Sequence, residues 1–342
     1  MVKMHLNHAQ WVIPELSAQS LIEQLMASRA LSKKELKKFL HPRFPQSLSD
    51  PTQLPDIEVA TTRILTAVKN RERIGIFGDY DVDGTCSVTL VAEILEILGT
   101  HAVAVKIPDR ADGYGLNPAV IDFFSQKKIT LLITVDTGTS ALNEIRLAHK
   151  KGIECIVFDH HEPPPRLARP VALVNPKRPE SRYAYRELCA TGVVFQWAHY
   201  LHLLGKLSEG QLKWMLDLVA LATVTDMVPL VADNRVLVHF GLIVWKRSRR
   251  IGLNALIEVA GIDRTRVSSY TLGFQIGPRL NAAGRMQDAT LSFELLRATD
   301  TQTALRLART LNYLNQRRQQ LLEQIIQEAT AQIESSGRAR QK

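Results

Sequence analysis

Cysteine is scarce. Cys86, Cys155 and Cys189 are the only three in 342 residues, and no two of them form a CxxC pair. That excludes a disulfide framework or a zinc ribbon and suits a reducing compartment such as the cytoplasm. Long apolar runs are also missing. No stretch approaches the roughly 18 residues that would span a membrane, and the opening MVKMHLNHAQWVIPEL has no signal-like apolar core. Aromatic residues are only 6% of the chain, and most lie in apolar stretches where packing accounts for them. Acidic charge is in the minority, with 34 Asp and Glu against 43 Lys and Arg, a net charge of +9. That balance permits a polyanionic partner without requiring one. No internal repeat is visible.

What is present suffices for about two domains and a sizeable core. Residues 1–70 read as a helical, peripheral segment, with helical spacing in SAQSLIEQLMASRA and SKKELKKFL and a Pro-rich connector, HPRFPQSLSDPTQLPD. From 71 to 190, strand-like runs alternate with helical ones: RIGIFG, AVAVKI at 102–107, TLLITV at 130–135 and IECIVF at 153–158. This is the pattern of an α/β fold with a doubly wound, mostly parallel sheet. Residues 190–300 read as a helical extension. Residues 301–334 read as one long connecting helix whose stripe is Leu307, Leu311, Leu314, Leu321, Ile325 and Ala329, and 335–342 as a basic tail.

The stretch GDYDVDGTCS, from Gly78, places Asp79, Asp81 and Asp83 at alternate positions before Gly84. It opens like a calcium loop, but the twelfth position, which must be Glu, is Leu90. Its flanks read strand and helix rather than helix and helix. Two further strands also end on polar groups: Asp136 after TLLITV, and Asp159, His160 and His161 after IECIVF. Ligands of open parallel sheets bind beyond the carboxyl ends of the strands, so three such clusters predict one shared site. Carboxylates gathered there would repel and raise one another's pKa, a cost that a cation relieves. Oxygen donors with one or two imidazoles suit Mn²⁺ or Mg²⁺, and the number of carboxylates suggests two ions sharing an Asp, the arrangement of phosphoester hydrolysis. Asp226, in ATVTDMVPL, reads on its own as a helix-terminus residue. Arg279, Asn281 and Arg285, in GFQIGPRLNAAGRM, suggest a Gly-rich phosphate cradle. PDRADGYGL offers Arg110 and Tyr114 in another loop.

DYDVDG, VDTG, DHH and TVTDMVPL, in this order, resemble the DHH phosphoesterases, and GPRLNAAGRM, FLHPRF and GYGL resemble the RecJ family of single-strand-specific 5′→3′ exonucleases within them. The resemblance covers nearly the whole chain. It implies a two-metal exonuclease on single-stranded DNA, in repair and recombination, using Mn²⁺ or Mg²⁺. It implies Asp81, Asp83, Asp136, His160 and Asp226 as metal ligands, with Asp136 bridging. His161 would be a phosphate contact, and Asp136, His160 and His161 the catalytic set. Asp79 and Asp159 would support the ligands from behind or only shape their loops. Arg110, Arg279, Asn281 and Arg285 would touch DNA or support the site. Related pyrophosphatases carry His where this chain has Phe77, so one ion should be held mostly by oxygens; RecJ proteins usually have Asn or Cys at Thr137. RecJ proteins continue past the long helix into a DHHA1 domain and an oligonucleotide-binding barrel. An end at Lys342 therefore implies a truncated or short form, weakly active by itself. Beyond single-stranded DNA, the resemblance suggests a helicase or single-strand-binding protein as partner, no membrane, and a monomer when complete.

Two other readings compete. A phosphodiesterase of the same superfamily would act on short oligonucleotides or cyclic dinucleotides, and GPRLNAAGRM with the helical 190–300 region argues against it. A non-catalytic nucleic-acid-binding protein of the same fold would have lost metal ligands, and none is lost here.

Overall fold

A computed structural model describes residues 2–6, 9–13, 24, 32–108, 113 and 115–336. Residues 1–47 form one unit. Its first part is not helical: β1 (Val2–Leu6) and β2 (Ala9–Ile13) pair antiparallel, Val2 opposite Ile13. The expected helix in SAQSLIEQLMASRA lies, Gln24 apart, outside the described residues. SKKELKKFL does form α1 (Lys33–Leu40), started by a capping box in which Ser32 and Glu35 satisfy each other's backbone NH groups.

In the second unit, α2 (Ile57–Lys69) leads into the sheet. Five parallel strands lie in the order β4-β3-β5-β6-β7: β3 Ile74–Gly78, β4 Ala104–Lys106, β5 Leu131–Val135, β6 Glu154–Phe158 and β7 Ala172–Val174. β3 and β5 are buried along their whole length, as strands covered on both faces must be, which explains their unbroken apolar runs. β7, between Pro170 and Pro176, was not expected from the sequence; three residues are too short a run to show a period. The crossovers include α3 (Val82–Ile97), α4 (Pro118–Gln126) and α5 (Leu142–Lys150). From β3 the chain turns to one side of the sheet, and from β5 to the other. The carboxyl ends of these two neighbours therefore flank the topological switch point, the usual crevice for a ligand.

The helical half contains α6 (Ala190–Leu203), α7 (Glu209–Trp214), α8 (Leu216–Thr225), α9 (Ala232–Trp245) and α10 (Ile251–Val259). A π-helical segment (Thr271–Ile276) runs into α11 (Gly277–Met286), then α12 (Thr290–Arg297) and α13 (Thr301–Ser335). GPRLNAAGRM is thus a helix and not the loop its glycines suggest. α3 lacks a polar face because it packs against the sheet on one side and α6, α8 and α12 on the other. α13 packs on α10, α11 and α12 through Leu307, Leu311 and Leu314, whereas Leu321, Ile325 and Ala329 of the same stripe are exposed. The basic tail from Gly337 lies outside the described residues. Among the described residues, no helix is long and apolar enough to cross a membrane.

Candidate metal centre

The acidic loop is a strand-to-helix turn. After Gly78, Asp81 caps the N-terminus of α3 by accepting from Gly84 N at 2.9 Å. A side chain at Gly84 would strike the Asp79 carbonyl, since a Cβ there would lie 2.4 Å from its oxygen. The next carboxylate, Asp83, is buried against the start of α6. It accepts from Ala190 N at 2.6 Å, Thr191 N at 2.8 Å and Thr191 Oγ1 at 2.6 Å. A helix N-terminus favours a carboxylate, and here it fixes the Asp83 oxygens in direction.

Asp136 follows β5 in a left-handed conformation, φ 59°, which a residue with a Cβ adopts at a cost. Its NH donates to Phe158 O at 3.0 Å, linking the ends of β5 and β6. Asp159 is a hub. Oδ2 accepts from Thr139 N at 2.9 Å, while Oδ1 accepts from His160 N at 2.7 Å and His161 Nδ1 at 2.7 Å. Burial opposes its charge, yet the bond from His161 and those from Thr139 hold its pKa well below the carboxylate range. The same Asp159 bond raises the pKa of His161.

His160 sits among carboxylates. Its Nε2 is 3.2 Å from Asp136 Oδ1 and 3.8 Å from Asp83 Oδ2, and its Nδ1 is 3.7 Å from Asp226 Oδ2. Asp226 ends α8, and only the packing of the helical half against the sheet carries it to this rim. Three groups of donors result, each with its ligand atoms within 4.8 Å of one another: Asp79, Asp81 and Asp136; Asp83, His160 and Asp226; and Asp136, His160 and His161. Asp136 belongs to two of them, and His160 to two. Asp79 belongs to one of these groups, which is made of oxygens alone.

The electrostatics ask for a cation. Burial, reinforced by Asp81, pushes Asp79 up to about 7; burial, reinforced by Asp83, pushes Asp226 up to about 8. Asp81 is raised by burial and Asp83, and Asp136 well above the carboxylate range by burial, Asp83 and Asp81. Burial drives His160 the other way, toward its neutral form. Asp79 Oδ1 and Asp226 Oδ2 are buried and accept no hydrogen bond among the described residues. Oxygen-rich donors, two imidazoles and buried oxygens without a hydrogen bond fit a hard divalent cation.

The basic residues fall elsewhere. Asn281 accepts from Val82 N at 3.0 Å and so braces the acidic loop from α11. α11 comes that close because Gly284 abuts the Tyr80 carbonyl, where a Cβ would sit 2.9 Å from the oxygen. Arg279 is half-buried and bonds Asn312 Oδ1 at 2.9 Å and Gln275 O at 2.6 Å; burial lowers its pKa. Arg285 is exposed. Arg110 and Tyr114 lie outside the described residues. The anchor of Asp83 at Ala190 and Thr191 left no sequence signal, since two of its three bonds come from backbone NH groups, which carry no residue identity.

Residues 73–223 match the model of the DHH family, N-terminal domain. The chain is 36% identical to the single-stranded-DNA-specific exonuclease RecJ of Bacillus subtilis over 94% of its own length and 40% of that protein. Across curated RecJ relatives from three bacteria it spans 40–57% of their length. A crystal structure of exonuclease RecJ bound to manganese superposes with a TM-score of 0.74 at 31% identity, over 82% of this chain and 70% of that one. RecJ from Thermus thermophilus, in complex with Mn²⁺, gives 0.72 at 28% identity, over 92% and 46%. With its sheet, acidic rim and these relatives in agreement, the chain belongs to the RecJ family of DHH proteins.

Proposed function

We propose that this protein is a metal-dependent exonuclease that hydrolyses phosphodiester bonds of single-stranded DNA from the 5′ end, in DNA repair and recombination. The carrying observation is that two groups of donors meet at Asp136, at the switch point of the sheet, and that His160 joins one of them to Asp83 and Asp226. Asp79, Asp81 and Asp136 would hold one cation, and Asp83, Asp136, His160 and Asp226 a second. Two divalent cations bound there, Mn²⁺ or Mg²⁺ as in the RecJ relatives, would supply a nucleophile at neutral pH and stabilise charge on the attacking and leaving oxygens.

The chain's own residues do the rest. Asp159 fixes the Nδ1 side of His161 and favours its charged form, so that the imidazolium faces a phosphate oxygen as a donor. The α6 N-terminus holds Asp83 in one direction, and Asn281 stops the acidic loop from shifting. Preorganised charge of this kind costs no rearrangement during reaction. A helicase or single-strand-binding protein would deliver the strand.

The test is digestion of single strands labelled at either end, with Mn²⁺ or with chelator. Release of mononucleotides from the 5′ end, dependent on Mn²⁺ and absent on blunt duplex, is the expected result. Release from the 3′ end, or equal rates with chelator, would refute the reading. In calorimetry, Mn²⁺ should bind and raise the melting temperature, because it cancels carboxylate repulsion.

A further inference from the structure

A cavity of about 1020 Å³ opens between α5 and the segment that joins β6 to β7. Arg146, His149 and Lys150 line it from α5, and Arg166 and Arg169 from the joining segment. All five are exposed, and none makes an ion pair among the described residues. Asp56 is the one carboxylate in the lining among the described residues, and it is already committed. It pairs with Arg178 at 2.5 Å and accepts from Leu173 N at 3.0 Å. The cavity therefore gathers four guanidinium or ammonium groups without a counter-charge among the described residues. Such groups repel one another, and an anion removes that cost.

The cavity is tied to the catalytic frame. Ala168, in its wall, donates its NH to Thr139 O at 3.3 Å, and Thr139 NH donates to Asp159, the residue that orients His161. α5 starts near this rim and runs to the opposite end of the strands, about 13 Å for its nine residues. Arg146 and Lys150 stand about 6 Å of rise apart on α5, and with Arg166 and Arg169 on the facing wall they match a repeated anion better than a single one. The floor of Ile145, Leu167 and Leu173 offers no side-chain hydrogen-bond partner to read a base, and no Phe, Tyr or Trp lines the cavity among the described residues.

We propose that this groove binds the phosphate backbone of a nucleic-acid strand without regard to sequence. The inference rests on the proposed nuclease function for its choice of polyanion. Its physical basis is counterion release from phosphates paired with Arg and Lys.

The experiment measures binding of the 342-residue chain to a long oligothymidylate with the metals chelated, across a range of salt. The variants are Arg146→Gln with Lys150→Gln, and Arg166→Gln with Arg169→Gln, one pair on each wall. On single strands each lost phosphate contact should flatten the salt slope by about 0.7, so each pair should flatten it by about 1.4. Oligothymidylate and oligoadenylate should bind alike, while dithymidylate and inorganic phosphate compete poorly. With Mn²⁺ restored, both double variants should still cleave dithymidylate at the parent rate while losing speed on long strands.

Unchanged slopes in both pairs would overturn the groove. So would polyglutamate binding as tightly with the same dependence on these residues, which would make it an acidic-peptide site. Inorganic phosphate competing as well as the strand would reduce it to a single-anion site and overturn it equally. Groove-dependent binding without Mn²⁺-dependent hydrolysis of any single strand would support the groove and refute the nuclease reading alone.

Discussion

Asp217 and Asp136 are buried to the same degree, 2% and 3% exposed, yet the protein treats them differently. Asp217, in the helical half, accepts from Ser248 Oγ at 3.0 Å and from its neighbour Leu218 N at 2.7 Å, and pairs with Arg250 at 3.3 Å. Arg250 also pairs with Glu93, and these carboxylates keep it charged despite its burial. Asp136 sits instead among Asp83, Asp81, Asp159 and Asp79, and burial, reinforced by these charges, pushes its pKa up. A buried carboxylate with its own guanidinium is a structural joint. Buried carboxylates that crowd one another form a receptor for a cation from solution. Burial alone does not tell the two apart; the sign of the nearest charges does.

Removing Arg250 should have the largest effect on stability. Arg250→Met leaves Asp217 and Glu93 uncompensated, and breaking a buried pair from one side costs about 3–5 kcal/mol. Urea denaturation should show that loss, with Mn²⁺ affinity of the remaining folded protein unchanged. Asp136→Asn should do the reverse. Turnover on single strands should fall by about 10²–10³-fold, as expected for one lost electrostatic stabiliser. Metal-free stability should hold or rise, because Asn tolerates the left-handed backbone and a repelling charge is gone. If Asp136→Asn unfolds the protein as readily as Arg250→Met does, the contrast between the two regions fails.

Asn281→Ala probes the brace between them. It strips Val82 N of its acceptor in a partly buried place, at a cost of about 1–3 kcal/mol. Mn²⁺ affinity should weaken with it, since the acidic loop loses its support. A stability loss with unaltered Mn²⁺ binding would mean that the loop holds its own shape.

A pH dependence tests the same crowding of carboxylates. Asp226 in the metal-free fold has a pKa of about 8, against an ordinary 3.8. A raised carboxylate pKa means that the folded state holds the proton more tightly than the unfolded chain. Its stability contribution is therefore intact below about pH 4 and is lost as pH rises toward 8. Asp226→Asn removes this term. In chelator its stability should match the parent near pH 4 and exceed it increasingly up to about pH 8. Excess Mn²⁺ should cancel the advantage, because the ion favours the charged form. Parallel curves in chelator would show that Asp226 is not strained by its neighbours.

The sequence carried the alternation of strand and helix and the acidic ends of three strands. Both are local: a run such as TLLITV shows its burial in its own composition, and Asp136 follows it directly. The N-terminal hairpin, the short β7 and the helical state of GPRLNAAGRM were not legible, because short or Gly-containing runs carry too little periodicity to decide a state. Asp226 alone looked like a helix-terminus residue, and only the family resemblance drew it into the site.

Sequence by itself determined the class of fold and the type of donor atoms, since composition and period act over neighbouring residues. Tertiary structure alone decided which donors meet. It brought Asp226 from the end of α8 to His160, set Asp79 beside Asp136, turned Asp83 onto the α6 N-terminus and placed Asn281 under Val82. It also drew Arg146 and Lys150 of α5 to one cavity with Arg166 and Arg169. Convergence of this kind depends on how elements pack across long sequence separations, and charges far apart along the chain leave no common period from which to read it.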